Sequence, residues 1–243
     1  MRNTAVINPT IVRITMRGLF GRRRFLLLLP LPALVVGLAL LADGLGAPRP
    51  DWVPAVLVGI GIAVVLPVMA LIVGASVLGS EIDDGTAVHI LAKPLPRHEI
   101  ILSKLVVAVV VTTAAVGAGM FLAGLVGGSV RLGLGLLAGT AVGAVAYSAL
   151  FLALSLLNRR PVLVGLVYIL IWETLLGNLL DGTQVLSIQQ YVVTISEKAA
   201  GTTLFSGNVS MPVSVAMAAA VTIGATILAV DRLRSFTVAG ETS

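Results

Sequence analysis

The chain has 243 residues, 58% of them hydrophobic and 11% charged, with a mean hydropathy of +1.07 and a formal charge of +5. A soluble domain carries roughly 25% charged residues, so this chain cannot cover a water-facing surface, and its long apolar blocks read as a polytopic all-α membrane protein. It has no cysteine, which excludes disulfides, thiolate metal sites and a cysteine nucleophile, and its basic residues flank apolar runs, which fits topology and not nucleic-acid binding.

Residues 1–24 carry Arg2, Arg13, Arg17, Arg22, Arg23 and Arg24 and no acid. The pattern from Pro9 to Phe20 is helical: apolar residues cover most of the circumference, and Arg13 and Arg17, four apart, share one polar stripe. That predicts an interfacial helix whose arginines reach anionic headgroups.

Six apolar segments follow, at Phe25–Leu41, Val53–Leu78, Ile100–Val126, Leu132–Leu157, Val162–Leu180 and Pro212–Val230. A span needs about 20 residues, so the expectation is a single membrane domain over 1–243 with six transmembrane helices over 25–230. If the N-terminus is cytoplasmic, the inside segments are 1–24, 79–104, 158–161 and 231–243, and they hold 13 of the 16 Lys and Arg. Arg49, Arg131 and Lys198 fall outside. The positive-inside rule then places both termini in the cytoplasm, in a cell membrane.

Gly135, Gly139 and Gly143 repeat at spacing four in the fourth segment and form a smooth face for close helix approach, within one bundle or between two copies. In the fifth segment Glu173 follows Trp172, about eleven residues in, or roughly 17 Å at 1.5 Å per residue. An acid at that depth faces the bundle interior or a wet cavity. It is either a residue on a substrate or proton path or a hydrogen-bonded tie between helices. Trp172 is either an interface anchor or a cavity wall.

Residues 79–104, between the second and third segments, concentrate ionisable groups: Glu81, Asp83, Asp84, Lys93, Arg97, Glu99 and Lys104, with His89 and His98. Gly85 can end a helix in the left-handed conformation, Thr86 can cap a short new helix over Ala87–Ala92, and Pro94 with Pro96 stops it. This is a short cytoplasmic crossbar between two long helices. No G-x-x-x-x-G-K-[ST] occurs, since the three lysines precede Pro94, Leu105 and Ala199, so the chain is not itself a P-loop ATPase. The two histidines are nine apart and no metal-ligand set is apparent.

The pattern E-x-x-x-G-T followed by K-P-x-x-R-x-E-I-I-x-x-K, from Glu81, Gly85 and Thr86 through Lys93, Pro94, Arg97, Glu99 and Ile100 to Lys104, resembles the cytoplasmic loop of ABC-2 type ABC transporter permeases. Tyr168–Glu173 with Ser187–Tyr191 resembles the fifth span and outer loop of the branch common in actinobacteria. His89 departs from the small or apolar residue usual at its position. The resemblance implies a type-2 exporter permease fold, pairing with a second copy or a paralogue, and a separate ATPase subunit that binds ATP and Mg. It also implies that Glu81, Asp84, Gly85, Thr86, His89, Lys93, Pro94, Arg97, Glu99 and Lys104 form a coupling element seated on that ATPase. The expected function is therefore the membrane subunit of an ATP-driven exporter, not an enzyme, with no cofactor of its own. The alternatives are an ion-coupled carrier using Glu173 and a non-transporting scaffold that recruits a cytoplasmic partner.

Overall fold

The computed structural model describes residues 9–21, 29–83, 96–158, 160–176, 183–205 and 207–238, and helix is the dominant structure throughout. Helix α1 is Pro9–Gly21 and α2 is Pro30–Gly44. Helix α3 (49–83) runs without a break through α-helical Arg49–Val53, π-helical Pro54–Val65 and α-helical Leu66–Asp83. Helix α4 (97–126) joins Arg97–Thr112, a π-helical turn Thr113–Gly117 and Ala118–Val126. Helix α5 is Val130–Leu157. Helix α6 (161–176) begins as Pro161–Val167 and continues in π-helical register over Tyr168–Leu176. A 3₁₀ turn, Thr183–Leu186, leads into α7, Ile188–Ala200, and α8 is Met211–Val238.

The expectation of six spans does not hold. Among the described residues four helices are long and apolar enough to cross a membrane: Arg49–Val77, Arg97–Val126, Val130–Leu157 and Met211–Leu233. Pro30–Gly44 and Pro161–Glu173 are apolar but shorter. The reason is local. Each apolar run was counted by hydropathy, but a proline fixes where its helix starts, because φ is preset and no donor is needed in the first turn. Pro30 opens α2 five residues after the apolar run begins at Phe25. Helix α6 starts at Pro161, at the head of its apolar run, and its apolar stretch among the described residues ends at Glu173. The predicted crossbar Ala87–Ala92 lies outside the described residues.

Helix α5 is the centre of the bundle. Its buried face carries Leu136, Tyr147, Phe151 and Leu152, and α3, α4, α6, α7 and α8 all pack on it. Ser129 caps its start, its hydroxyl accepting from the Leu132 amide at 3.0 Å. Tyr147 and Phe151 stack at 5.8 Å, and Phe151 meets Tyr168 of α6 edge-on at 6.2 Å. The π stretch of α3 lies between Pro54 and Pro67, each of which removes a donor from the helical ladder and so loosens the α register there.

The two ends of the bundle differ. At one end Ile11 of α1, Ile100 and Ile101 of α4, Leu156 of α5 and Leu233 of α8 form a separate apolar cluster. Arg13, Arg17, Arg97, His98, Arg160 and Arg232 belong to this basic end. At the opposite end Arg49 meets Asp43 at 3.5 Å, and the Arg131 guanidinium lies beneath Gly201.

Candidate functional site

The fifth apolar segment supplies the acid, and the segment after it supplies most of what the acid touches. Glu173 is 1% exposed. Its two carboxyl oxygens accept from Tyr168 Oη at 3.1 Å, Ser187 Oγ at 2.5 Å, the Ile188 amide at 3.1 Å and the Gln189 amide at 3.3 Å. Ile188 and Gln189 are the first two residues of α7. The first four amides of any helix lack an intrahelical acceptor and carry the positive end of its dipole. Glu173 takes two of them. Ser187, the N-cap, takes the Gln190 amide at 3.4 Å. The preceding turn is secured as well: Trp172 Nε1 donates to the Leu186 carbonyl at 3.3 Å, and the Tyr191 hydroxyl donates to the Val185 carbonyl.

Helix α7 sits in a groove made for it on α5. A side chain at Gly135 would lie 2.6 Å from the Ala200 Cβ, one at Gly139 would lie 2.7 Å from the Val192 carbonyl, and one at Gly143 would lie 2.6 Å from Val192 Cγ2. The spacing-four glycines therefore lie against α7 within this chain. The pairings 135–200, 139–196 and 143–192 run antiparallel. The N-terminus of α7 therefore lies near Tyr147, about 25 Å along α5 from Val130 at 1.5 Å per residue. Polar backbone buried in an apolar bundle must be satisfied by protein, and that is what Glu173, Ser187 and Trp172 supply. At its other end α7 stops at Gly201, whose φ of 61° is the left-handed C-cap.

Ser187 within 2.5 Å of a carboxyl is a pairing that the sequence did not disclose. Its hydroxyl is 2% exposed and already accepts the Gln190 amide, which marks it as a cap and not a nucleophile. The sequence did hold one signal for it. Ser187-Ile-Gln-Gln190 matches the S-x-x-Q capping box. The return bond of that box is absent because the Ser187 amide bonds the Gln184 carbonyl instead.

The residues expected at the coupling element are dispersed or lie outside the described residues. Asp84, Gly85, Thr86, His89, Lys93 and Pro94 lie outside them, and Glu81 is placed only by its backbone, in the last turn of α3. Arg97 and Glu99 are partly buried in the first turn of α4. His98 is exposed and lines a groove of about 290 Å³ with Leu102, Thr226, Ile227, Val230 and Asp231. Lys104 is buried, its Nζ donating to the Val77 carbonyl of α3 at 2.9 Å. Arg13 and Arg17 are exposed on the outer face of α1, together with Ile14, while Val12, Met16 and Leu19 pack against the core. Among the described residues no group of three His, Asp or Glu is close enough to hold a metal.

A family model described as an ABC-2 family transporter protein matches residues 10–190. The chain belongs to the ABC-2 transporter family. The match takes in α1 to α6, the whole of residues 79–104, Glu173 and the first residues of α7. No curated protein matches the chain. As an ABC-2 family member it is a membrane component of a transporter, and membership implies an ATPase subunit as its partner. The match thus reaches Ser187, the N-cap of α7, and the first residues of that helix. Its glycine groove lies within the matched region, while most of α7 and all of α8 lie beyond it.

Proposed function

We propose that this chain is the membrane subunit of an ATP-driven exporter, forming the translocation pathway and worked by a separate ATPase that grips residues 79–104. The family match over residues 10–190 carries this reading. The distribution of charge supports an orientation. The end of the bundle with Arg13, Arg17, Arg97, Arg160 and Arg232 faces the cytoplasm, since cationic residues are retained on that side. Both termini and residues 79–104 then share the cytoplasmic face of the cell membrane. In this reading ATP-driven closure of the ATPase displaces the crossbar expected at Ala87–Ala92, and that displacement swings both α3 and α4. A second permease copy or a paralogue completes the pathway. The absence of a P-loop motif from the sequence fits a subunit that borrows its ATP chemistry.

The carrier alternative drew on Glu173, whose oxygens accept four bonds from protein donors. That engagement supports the exporter reading over one in which Glu173 binds an ion. The test is affinity purification of the tagged chain from its native membrane in mild detergent, with mass spectrometry and an ATPase assay on the eluate. The expected result is a stoichiometric P-loop ATPase that is lost in the Glu81→Lys and Arg97→Glu variants. A chain that purifies alone and without ATPase activity, under conditions that keep other membrane complexes intact, overturns the proposal. A partner without ATPase activity points to the scaffold.

A further inference from the structure

One acidic and one basic side chain among the described residues are almost fully buried, Glu173 and Lys104, each 1% exposed. The capping of α7 accounts for Glu173. Lys104 stands apart from it, at the basic end between α3 and α4, where its Nζ donates to the Val77 carbonyl at 2.9 Å. That carbonyl belongs to the α-helical part of α3 and has a second lone pair beyond its ladder bond.

The position of this bond is symmetrical. Val77 lies six residues before Asp83, the last residue of α3, and Lys104 lies seven after Arg97, the first of α4. At 1.5 Å per residue the tie is therefore about 10 Å up both helices from residues 84–95. An ammonium held in an apolar bundle carries a desolvation penalty of several kcal/mol, and an unbranched apolar residue would fill the same space without it. What the ammonium adds is direction. A bond from one side chain to one carbonyl fixes the axial register and the rotation of α4 against α3, which apolar contact alone leaves degenerate.

We propose that Lys104 is the joint that locks α3 and α4 into one rigid pair, so that a displacement at the basic end moves both helices together. The lever part of this proposal rests on the reading that an ATPase grips residues 79–104. The rigid pair stands on the Lys104–Val77 bond and needs no partner. Lys104 is buried and acts through the α3–α4 pair, as a positioning residue.

The chain has no cysteine, which allows spin labels to be placed in chosen pairs. Val64 on α3, Leu122 on α4 and Ile223 on α8 are all exposed and serve as label sites. Distances between them are measured in nanodiscs by pulsed electron resonance, first for the permease alone and then for the complex with its ATPase trapped by ATP and vanadate. In the parent the Val64–Leu122 distance is expected to be narrowly distributed, and both distances to Ile223 shift together on trapping. In Lys104→Met the Val64–Leu122 distribution at least doubles in width and the two shifts no longer track each other. Lys104→Arg, which keeps a long cationic donor, restores the narrow distribution. Where Lys104→Met does not accumulate in the membrane, Lys104→Gln, which keeps a donor but shortens the reach, is measured in its place. Parental width and parental shifts in the variant overturn the proposal. If the parent recruits no ATPase, the reading of residues 79–104 falls, but the width measured on the permease alone still decides whether Lys104 locks the pair.

Discussion

Replacing Glu173 by leucine is expected to undock α7 from the bundle. The substitution removes the acceptor from the Ile188 and Gln189 amides and from the Tyr168 hydroxyl, and leaves Ser187 to cap the helix alone. A buried donor without an acceptor costs about 1–3 kcal/mol, so the two amides together cost about 2–6 kcal/mol. That is a large share of the ~5–15 kcal/mol that holds a typical domain together. The loss is local, because the glycine groove and the core around Leu136 are untouched. Val193 on α7 is 3% exposed, and a single cysteine there, in a chain that otherwise has none, reports opening by its reaction with a membrane-impermeant maleimide. Labelling follows the open population. At ~1.4 kcal/mol per factor of ten, even the smaller cost raises the labelling rate about thirtyfold. Glu173→Gln keeps one acceptor oxygen and turns its amide nitrogen toward the other donors, so it falls between the parent and the leucine variant. If Val193→Cys is labelled at the same rate, within about threefold, whether or not the Glu173→Leu substitution is also present, the capping account of this acid is wrong, since no partial loss of two amide acceptors predicts so little.

The same cysteine reporter ranks the remaining members of the seam. Ser187→Ala removes the cap of the Gln190 amide and one Glu173 partner and is expected to cost about 1–2 kcal/mol, whereas Tyr168→Phe removes one peripheral donor and costs about 1 kcal/mol or less. The reverse order would refute the geometry. Gly139→Ala places a methyl 2.7 Å from the Val192 carbonyl and is expected to destabilise the protein by about 1–3 kcal/mol. Gly224→Ala, where the new methyl meets nothing within 4 Å, is the control and should not lower the unfolding temperature in detergent. Replacing Arg13 and Arg17 together by glutamine is expected to weaken retention of an anionic phospholipid about thirtyfold, taking ~1 kcal/mol per arginine at the surface. Native mass spectrometry of the lipid-bound protein checks this, and unchanged retention would show that these exposed side chains do not meet headgroups.

The sequence disclosed the points of tension more readily than their resolution. Glu173 was conspicuous because one acid interrupts an apolar run, yet no basic residue near it offered itself as a partner. Its partners are two backbone amides and two hydroxyls, and the amides belong to another element 15 and 16 residues away, a pairing that no periodicity encodes. The spacing of Gly135, Gly139 and Gly143 announced a groove, but the helix that fills it, α7, lies in a segment whose mixture of polar and apolar residues hid how deeply it enters. Hydropathy overcounted the spans because it measures how long a run is apolar and is blind to where the helix within it begins. Pro30 sets that start for α2. Lys104 read as part of a cytoplasmic coupling element, since a sequence does not show that it is buried against α3.

The order in which the capping partners are made has a consequence for biogenesis. Glu173 leaves the ribosome 14 residues before Ser187 and 16 before Gln189. At ~5–20 residues per second that gap lasts about 1–3 s. For that interval the nascent chain holds a carboxyl group on an apolar helix before the amides that will occupy it exist. Helix α7 in turn has no acceptor for its first amides unless α6 is already in place beside α5. The two elements are each other's condition for leaving water, so α7 enters as a late, dependent insertion. A nascent chain cut short before Ser187 would carry an unanswered acid, a mark by which membrane quality control could tell an unfinished copy from a finished one.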